Sequence, residues 1–123
     1  MRSTKPERKV SQLLRTVGQP TRVQILLAIG EGEACVCHLE TLLGQRQAYI
    51  SQHLMALRKA KILTTRRDGR YIYYRLRDTR LLDLVKTAGE LSGAPELLAE
   101  FEGLAQSSQA CACPHCEPAP AAA

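Results

Sequence analysis

Residues 36–60 read Val36-Cys-His-Leu-Glu-Thr-Leu-Leu-Gly-Gln-Arg-Gln-Ala-Tyr-Ile-Ser-Gln-His-Leu-Met-Ala-Leu-Arg-Lys-Ala60. Apolar side chains recur at helical spacing on both sides of Gly44, which predicts one short helix before this glycine and a second helix after it. Two short helices joined by a tight turn at a glycine form a helix-turn-helix. We therefore expect this motif near the middle of the chain.

The pattern changes from helical to alternating immediately after the second helix. Residues 62–67 and 71–76 are β-prone, and Asp68-Gly69 between them favours a tight hairpin. On either side of this central part, helical spacing predicts helices over 6–17, over 20–29 and from 80 to 91. The expected fold is mainly α with a β-hairpin wing, a winged helix-turn-helix.

The length of 123 residues is enough for one domain but not for two. We place a single domain over residues 1–106 and a flexible tail over residues 107–123. The tail is mostly Ser, Ala and Pro without periodicity, apart from three cysteines, Cys111, Cys113 and Cys116.

Seventeen Lys and Arg residues against twelve Asp and Glu give a net charge of +5, and the basic residues concentrate in 58–80. This balance favours a polyanionic partner. The sequence contains neither an apolar run of membrane-spanning length nor a secretory signal, so we expect a cytoplasmic protein with no membrane partner. Five cysteines in a reducing compartment indicate metal binding or redox chemistry rather than a disulfide framework.

Three stretches resemble the ArsR/SmtB family of bacterial metal-sensing repressors. They are Pro20-Thr-Arg-Val-Gln-Ile-Leu, Cys35-Val-Cys-His-Leu, and Ile50-Ser-Gln-His-Leu with the hairpin Arg67-Asp-Gly-Arg and Tyr73-Tyr-Arg-Leu. Together the matching segments cover roughly residues 6–90. The resemblance implies a homodimeric repressor whose first and last helices form the dimer seam, and which binds double-stranded operator DNA with an inverted repeat.

A helix in the major groove presents polar side chains to base edges, and basic hairpin residues suit phosphates or the minor groove. The expected DNA-binding residues are therefore those on the exposed face of the second motif helix and those at the hairpin tip: Arg46, Gln47, Tyr49, Ser51, Gln52, His53, Arg66, Arg67 and Arg70. The alternative for each is an ordinary solvated surface, and for His53 it is a structural histidine inside the fold.

Cys35 and Cys37 are two residues apart at the predicted start of the third helix. On a regular helix such residues point about 200° apart, so they bind one ion only if the backbone there is not helical. Thiolates select soft ions such as As(III), Sb(III), Cd(II), Pb(II) or Zn(II). The alternative is a pair of buried apolar cysteines.

The family resemblance also bears on the remaining ligands. Arsenic-sensing members have a third cysteine where this chain has Glu40, so we expect Cys111, Cys113 and Cys116 to supply the missing thiolate, in cis or in trans. The alternative is a disordered tail whose cysteines have no role in binding. Zinc-sensing members carry Asp and His ligands on the last helix, whereas here that helix has Asp83 and no histidine.

These observations predict a transcriptional repressor that leaves its operator when a thiophilic ion, most favourably As(III), binds cysteine thiolates. One alternative is a thiol-based redox or sulfur-sensing repressor of the same fold. Another is a metal-binding thiol protein that does not bind DNA. The sequence shows no Ser/His/Asp or paired-carboxylate arrangement, so we do not expect an enzyme.

Overall fold

A computed structural model describes residues 5–94 and residue 96 of the chain. It confirms the winged helix-turn-helix: within residues 5–94, five helices and three strands follow one another. In order they are α1 (Pro6–Val17), α2 (Pro20–Ile29), β1 (Ala34–Cys35), α3 (Val36–Leu43), α4 (Gln47–Lys59), β2 (Leu63–Asp68), β3 (Tyr71–Leu76) and α5 (Arg80–Leu91).

Prolines and glycines set the limits of these elements. Pro6 and Pro20 occupy the first positions of α1 and α2, where a missing N–H costs no helical hydrogen bond. Gly44 ends α3 in the left-handed conformation with φ 65°, and Gly69 adopts φ 65° in the hairpin turn. Glycine suits both turns because a Cβ is strained at positive φ.

The core lies where α2, α3 and α4 meet the base of the hairpin. Its fully buried side chains come from all of these elements and include Ile25, Leu26, Leu39, Ile50, Leu54, Leu57 and Leu63. Burial of one side of α4 leaves the opposite side of that helix facing solvent. The core therefore fixes how the second helix of the motif is presented.

The sheet contains one strand more than the sequence predicted. Its order is β1-β3-β2 with antiparallel pairing throughout, and β1 pairs Ala34 with Tyr74 and Cys35 with Tyr73. We expected Cys35 at the start of a helix, but it lies in a two-residue strand immediately before α3. The first helix of the helix-turn-helix therefore follows directly on a strand that pairs with the middle of the wing strand β3.

Helix α1 presents an apolar face that nothing in the described chain covers. Val10 is 57% exposed and Leu14 47% exposed, and Leu91 at the end of α5 is 84% exposed. A dimer seam along α1 and α5 would bury such side chains. The homodimer itself remains a prediction.

No helix within residues 5–94 is both long and apolar enough to span a bilayer. The domain boundary predicted at residue 106, the tail over 107–123 and the cysteines Cys111, Cys113 and Cys116 lie outside the described residues.

Candidate DNA-binding surface and thiol pair

Helix α4 presents most of its predicted DNA-contacting residues to solvent. Arg46, Gln47, Tyr49 and Gln52 are exposed and Ser51 is half-buried. Arg46 precedes the first turn of α4 with extended backbone, φ −70° and ψ 151°. The exposed residues form a polar and basic surface suited to a DNA groove, and their contacts with DNA remain a prediction.

His53 has a different environment from its neighbours, because it lies on the inner side of α4 with 9% of its surface exposed. Arg22 of α2 donates a hydrogen bond from Nε to His53 Nδ1 at 3.0 Å and another from Nη1 to the Thr16 carbonyl oxygen at 3.0 Å. Nδ1 therefore acts as an acceptor, which requires the neutral imidazole. Through Arg22, the structure places His53 as a link between α4, α2 and the end of α1, and a direct DNA contact of His53 stays a prediction.

A second contact supports the same end of α4. The Tyr49 hydroxyl lies 3.2 Å from the Thr21 hydroxyl, and its ring meets the His53 ring edge-on at 4.8 Å. These contacts attach the N-terminal half of α4 to α2. Thr21 and Arg22 could not be identified as contributors from the sequence, because their partners lie about thirty residues away along the chain.

The environment of His53 makes stability depend on pH. Burial, and then the positive charge of Arg22, lower the pKa of His53 below its usual 6.5. The unfolded chain therefore takes up the proton more readily than the folded chain does. The contribution of the neutral His53 ring to the free energy of unfolding is therefore fully present above pH 6.5. It is lost as the pH falls from 6.5 through the lowered pKa of the folded state.

We predict that the free energy of unfolding falls more steeply below neutral pH in the wild type than in a His53→Gln variant. The extra slope is at most about 1.4 kcal/mol per pH unit, the value for one proton. Urea unfolding followed by circular dichroism between pH 7.5 and pH 5.0 measures both slopes. Parallel profiles for the two proteins would contradict the assignment.

The three arginines predicted at the wing differ in their contacts. Arg67 and Arg70 are exposed beside the hairpin turn. Arg66 makes a bidentate ion pair with Glu33, at 2.9 Å from Nε to Oε2 and 2.8 Å from Nη2 to Oε1. Its guanidinium carbon also lies 4.8 Å from the centre of the Tyr73 ring. Glu33 thus raises the pKa of Arg66, chiefly through this hydrogen bond, and Arg66 faces its own protein in this conformation.

The two central cysteines lie side by side. Their Sγ atoms are 3.0 Å apart. Residues two apart can bring their sulfurs together only where the backbone is not helical. Cys35 meets this condition, since its backbone is extended with φ −92° and ψ 169°. Cys35 is 2% exposed and packs with Tyr73, while Cys37 and Tyr71 are half-buried beside them.

This geometry suits both kinds of thiol chemistry. Two thiolates on one tetrahedral ion at about 2.3 Å would be about 3.8 Å apart, and two bonded sulfurs about 2.0 Å apart. The observed separation of 3.0 Å lies between these two values. Within the described part of the chain, no group of three or more Cys, His, Asp or Glu side chains is arranged to hold a metal.

Comparison with known proteins relates the fold to a regulatory role. The model for "Bacterial regulatory protein, arsR family" matches residues 19–65. The Biofilm growth-associated repressor of Agrobacterium fabrum is 36% identical over 88 residues, which are 72% of this chain and 75% of that protein. The Arsenical resistance operon repressor of Escherichia coli is 44% identical over 66 residues, 53% of this chain and 56% of that protein.

A solved structure agrees with these sequence matches. The transcriptional repressor BigR from Xylella fastidiosa superposes with a TM-score of 0.64 and 34% identity, over 69% of this chain and 87% of that chain. The matched region contains the helix-turn-helix described above. The chain therefore belongs to the ArsR/SmtB family of winged-helix transcriptional repressors.

Proposed function

We propose that this repressor binds an inverted-repeat operator as a homodimer and leaves it when a thiophilic ion binds Cys35 and Cys37. The observation that carries the proposal is the pair of sulfurs 3.0 Å apart at the junction of β1 and α3. An ion bound there would act directly on the first helix of the helix-turn-helix.

As(III) is the ion we favour, with Cd(II), Pb(II), Sb(III) and Zn(II) as the other candidates. Soft thiolates prefer these ions to hard cations. A relative that is 44% identical over 66 residues is named as an arsenical resistance operon repressor, which supports placing As(III) before the other ions. We propose that Cys111, Cys113 or Cys116 supplies a further thiolate, because Glu40 occupies the position of a third family cysteine.

The proposed release works through the geometry of the dimer. A twofold-symmetric repressor must place both α4 helices in successive major grooves at the same time. Ion binding moves the start of α3 and tilts the motif, so the two helices no longer fit both half-sites. A coupling of about 1–3 kcal/mol, usual for allosteric proteins, weakens operator binding roughly 5- to 150-fold.

The same sulfur geometry favours a second candidate, a repressor controlled by thiol oxidation. Cys35 or Cys37 would form a disulfide with a tail cysteine, and two electrons and two protons would pass to an oxidant such as a peroxide. Family membership supports DNA binding in either case. It argues against the third interpretation, a thiol protein without a DNA role.

The test is an operator-release titration with the reduced full-length chain and with a variant truncated after Gln106. Fluorescence anisotropy follows labelled operator DNA while As(III), Cd(II), Pb(II) or Zn(II) is added without oxidant. We expect release by As(III) at the lowest concentration and a weaker response from the truncated variant. Release by peroxide but by none of the ions would establish the redox candidate and contradict ion sensing.

A further inference from the structure

A row of side chains crosses the sheet from the thiol pair to the wing. Tyr73 of β3 lies directly opposite Cys35 of β1 and directly opposite Arg66 of β2. Residues opposite one another on neighbouring strands project from the same face of a sheet. The sulfur of Cys35, the ring of Tyr73 and the side chain of Arg66 therefore lie in line on one face.

Glu33 joins the two ends of this row. It lies two residues before Cys35, and its carboxylate binds the Arg66 guanidinium through two hydrogen bonds of 2.8 and 2.9 Å. The side chain of Glu33 is only 16% exposed, whereas that of Arg66 is 47% exposed. Arg66 thus reaches over the Tyr73 ring, and the ion pair ties β2 to the segment that carries the thiols.

We infer that the Glu33–Arg66 ion pair is a positioning device that transmits the state of the thiols to the wing. This inference rests on the proposed function and specifies its route. In the ion-free protein the pair fixes the wing relative to β1. When an ion moves Cys35, the displacement passes through Tyr73 and through Glu33 to β2, and the orientation of the wing changes.

This role differs from the one predicted for the other wing arginines. Exposed cations such as Arg67 and Arg70 are available to phosphates, so their removal weakens DNA binding in both states of the thiols. Removal of the Glu33–Arg66 pair instead reduces the difference in operator affinity between the ion-free and the ion-bound protein. The change is therefore expected in the coupling between ion binding and operator binding.

The experiment uses the reduced full-length chain and the variants Glu33→Gln, Arg66→Gln and the double variant. Operator affinity is measured with and without As(III), and separately with and without Cd(II). The control is Asp78→Asn, which removes the other ion pair among the described residues, 2.7 Å between Asp78 and Arg80 at the start of α5. Hydrogen exchange of residues 63–76 is measured in the same proteins without DNA.

We expect the factor by which the ions weaken operator binding to fall at least threefold in each single variant and no further in the double variant. Asp78→Asn keeps the wild-type factor. In the wild type, the ion changes hydrogen exchange in the wing, and this change is lost in Glu33→Gln. Since the double variant tests whether both residues act in one pathway, additive losses would overturn the inference.

Failure of this inference is distinguishable from failure of the proposed function. If ions release the wild type and both single variants by the same factor, the transmission route is wrong and ion sensing stands. If ions alter wing exchange through Glu33 but never release the operator, the route stands and the proposed function is wrong. An absent wing response in the wild type also overturns the route.

Discussion

A Cys35→Ser, Cys37→Ser double variant should remain on the operator at ion concentrations that release the wild type. Serine hydroxyls are poor ligands for soft ions, so the 5- to 150-fold weakening expected from the usual coupling range should disappear. Operator affinity without ion should change little, because neither sulfur lies on the exposed face of α4. Anisotropy titrations with As(III) and Cd(II) measure both quantities.

A single-site control makes this result decisive. Cys35 is 2% exposed, so a serine there places a hydroxyl in an apolar site and can weaken folding. Cys37→Ser alone changes a half-buried side chain and should also lose most of the release, since it removes one of the two adjacent thiolates. Release of both variants at wild-type ion concentrations would show that these cysteines are not the sensing ligands.

Leu54→Ala should strongly destabilise the domain and should remove operator binding by unfolding the motif. Leu54 is 1% exposed and lies in the main core, and such truncations cost roughly 2–5 kcal/mol through lost burial and the cavity left behind. For a small domain this is a large part of the whole free energy of unfolding.

The neighbouring residue provides a matched control on the same helix. Met55 is 60% exposed, so Met55→Ala should change the free energy of unfolding by no more than about 0.5 kcal/mol. Urea unfolding of the wild type and both variants measures the difference. Equal stability of the two variants would mean that α4 does not pack on the core through Leu54.

The sequence predicted the helices and the hairpin because local patterns specify them. Gly44 and Asp68-Gly69 set the turns, and the apolar spacing set the buried side of α4. The two-residue strand β1 was not predicted, since it exists only through pairing with β3, thirty-eight to forty residues later along the chain. Strand pairing of this kind depends on tertiary structure and leaves no periodic signal in so short a segment.

The candidate site shows the same division between local and distant information. The sequence predicted Cys35 and Cys37 as ion ligands and gave the backbone condition under which they could share an ion. It did not show that β1 meets this condition, nor that Arg66 would bind Glu33 across thirty-three residues. The sequence did not decide whether His53 lies on the surface or inside the fold, because its position on the helix alone does not reveal Arg22 as its partner.

The shortness of β1 also bears on how fast the protein can respond. The Cys35 sulfur is shielded from solvent, yet a strand of two residues has few backbone hydrogen bonds to hold it in place. Such a segment separates from its neighbour by local fluctuation far more often than the whole domain unfolds. Access of a small solute to the shielded sulfur is then governed by the opening rate of one edge strand, and the remainder of the molecule can stay folded throughout.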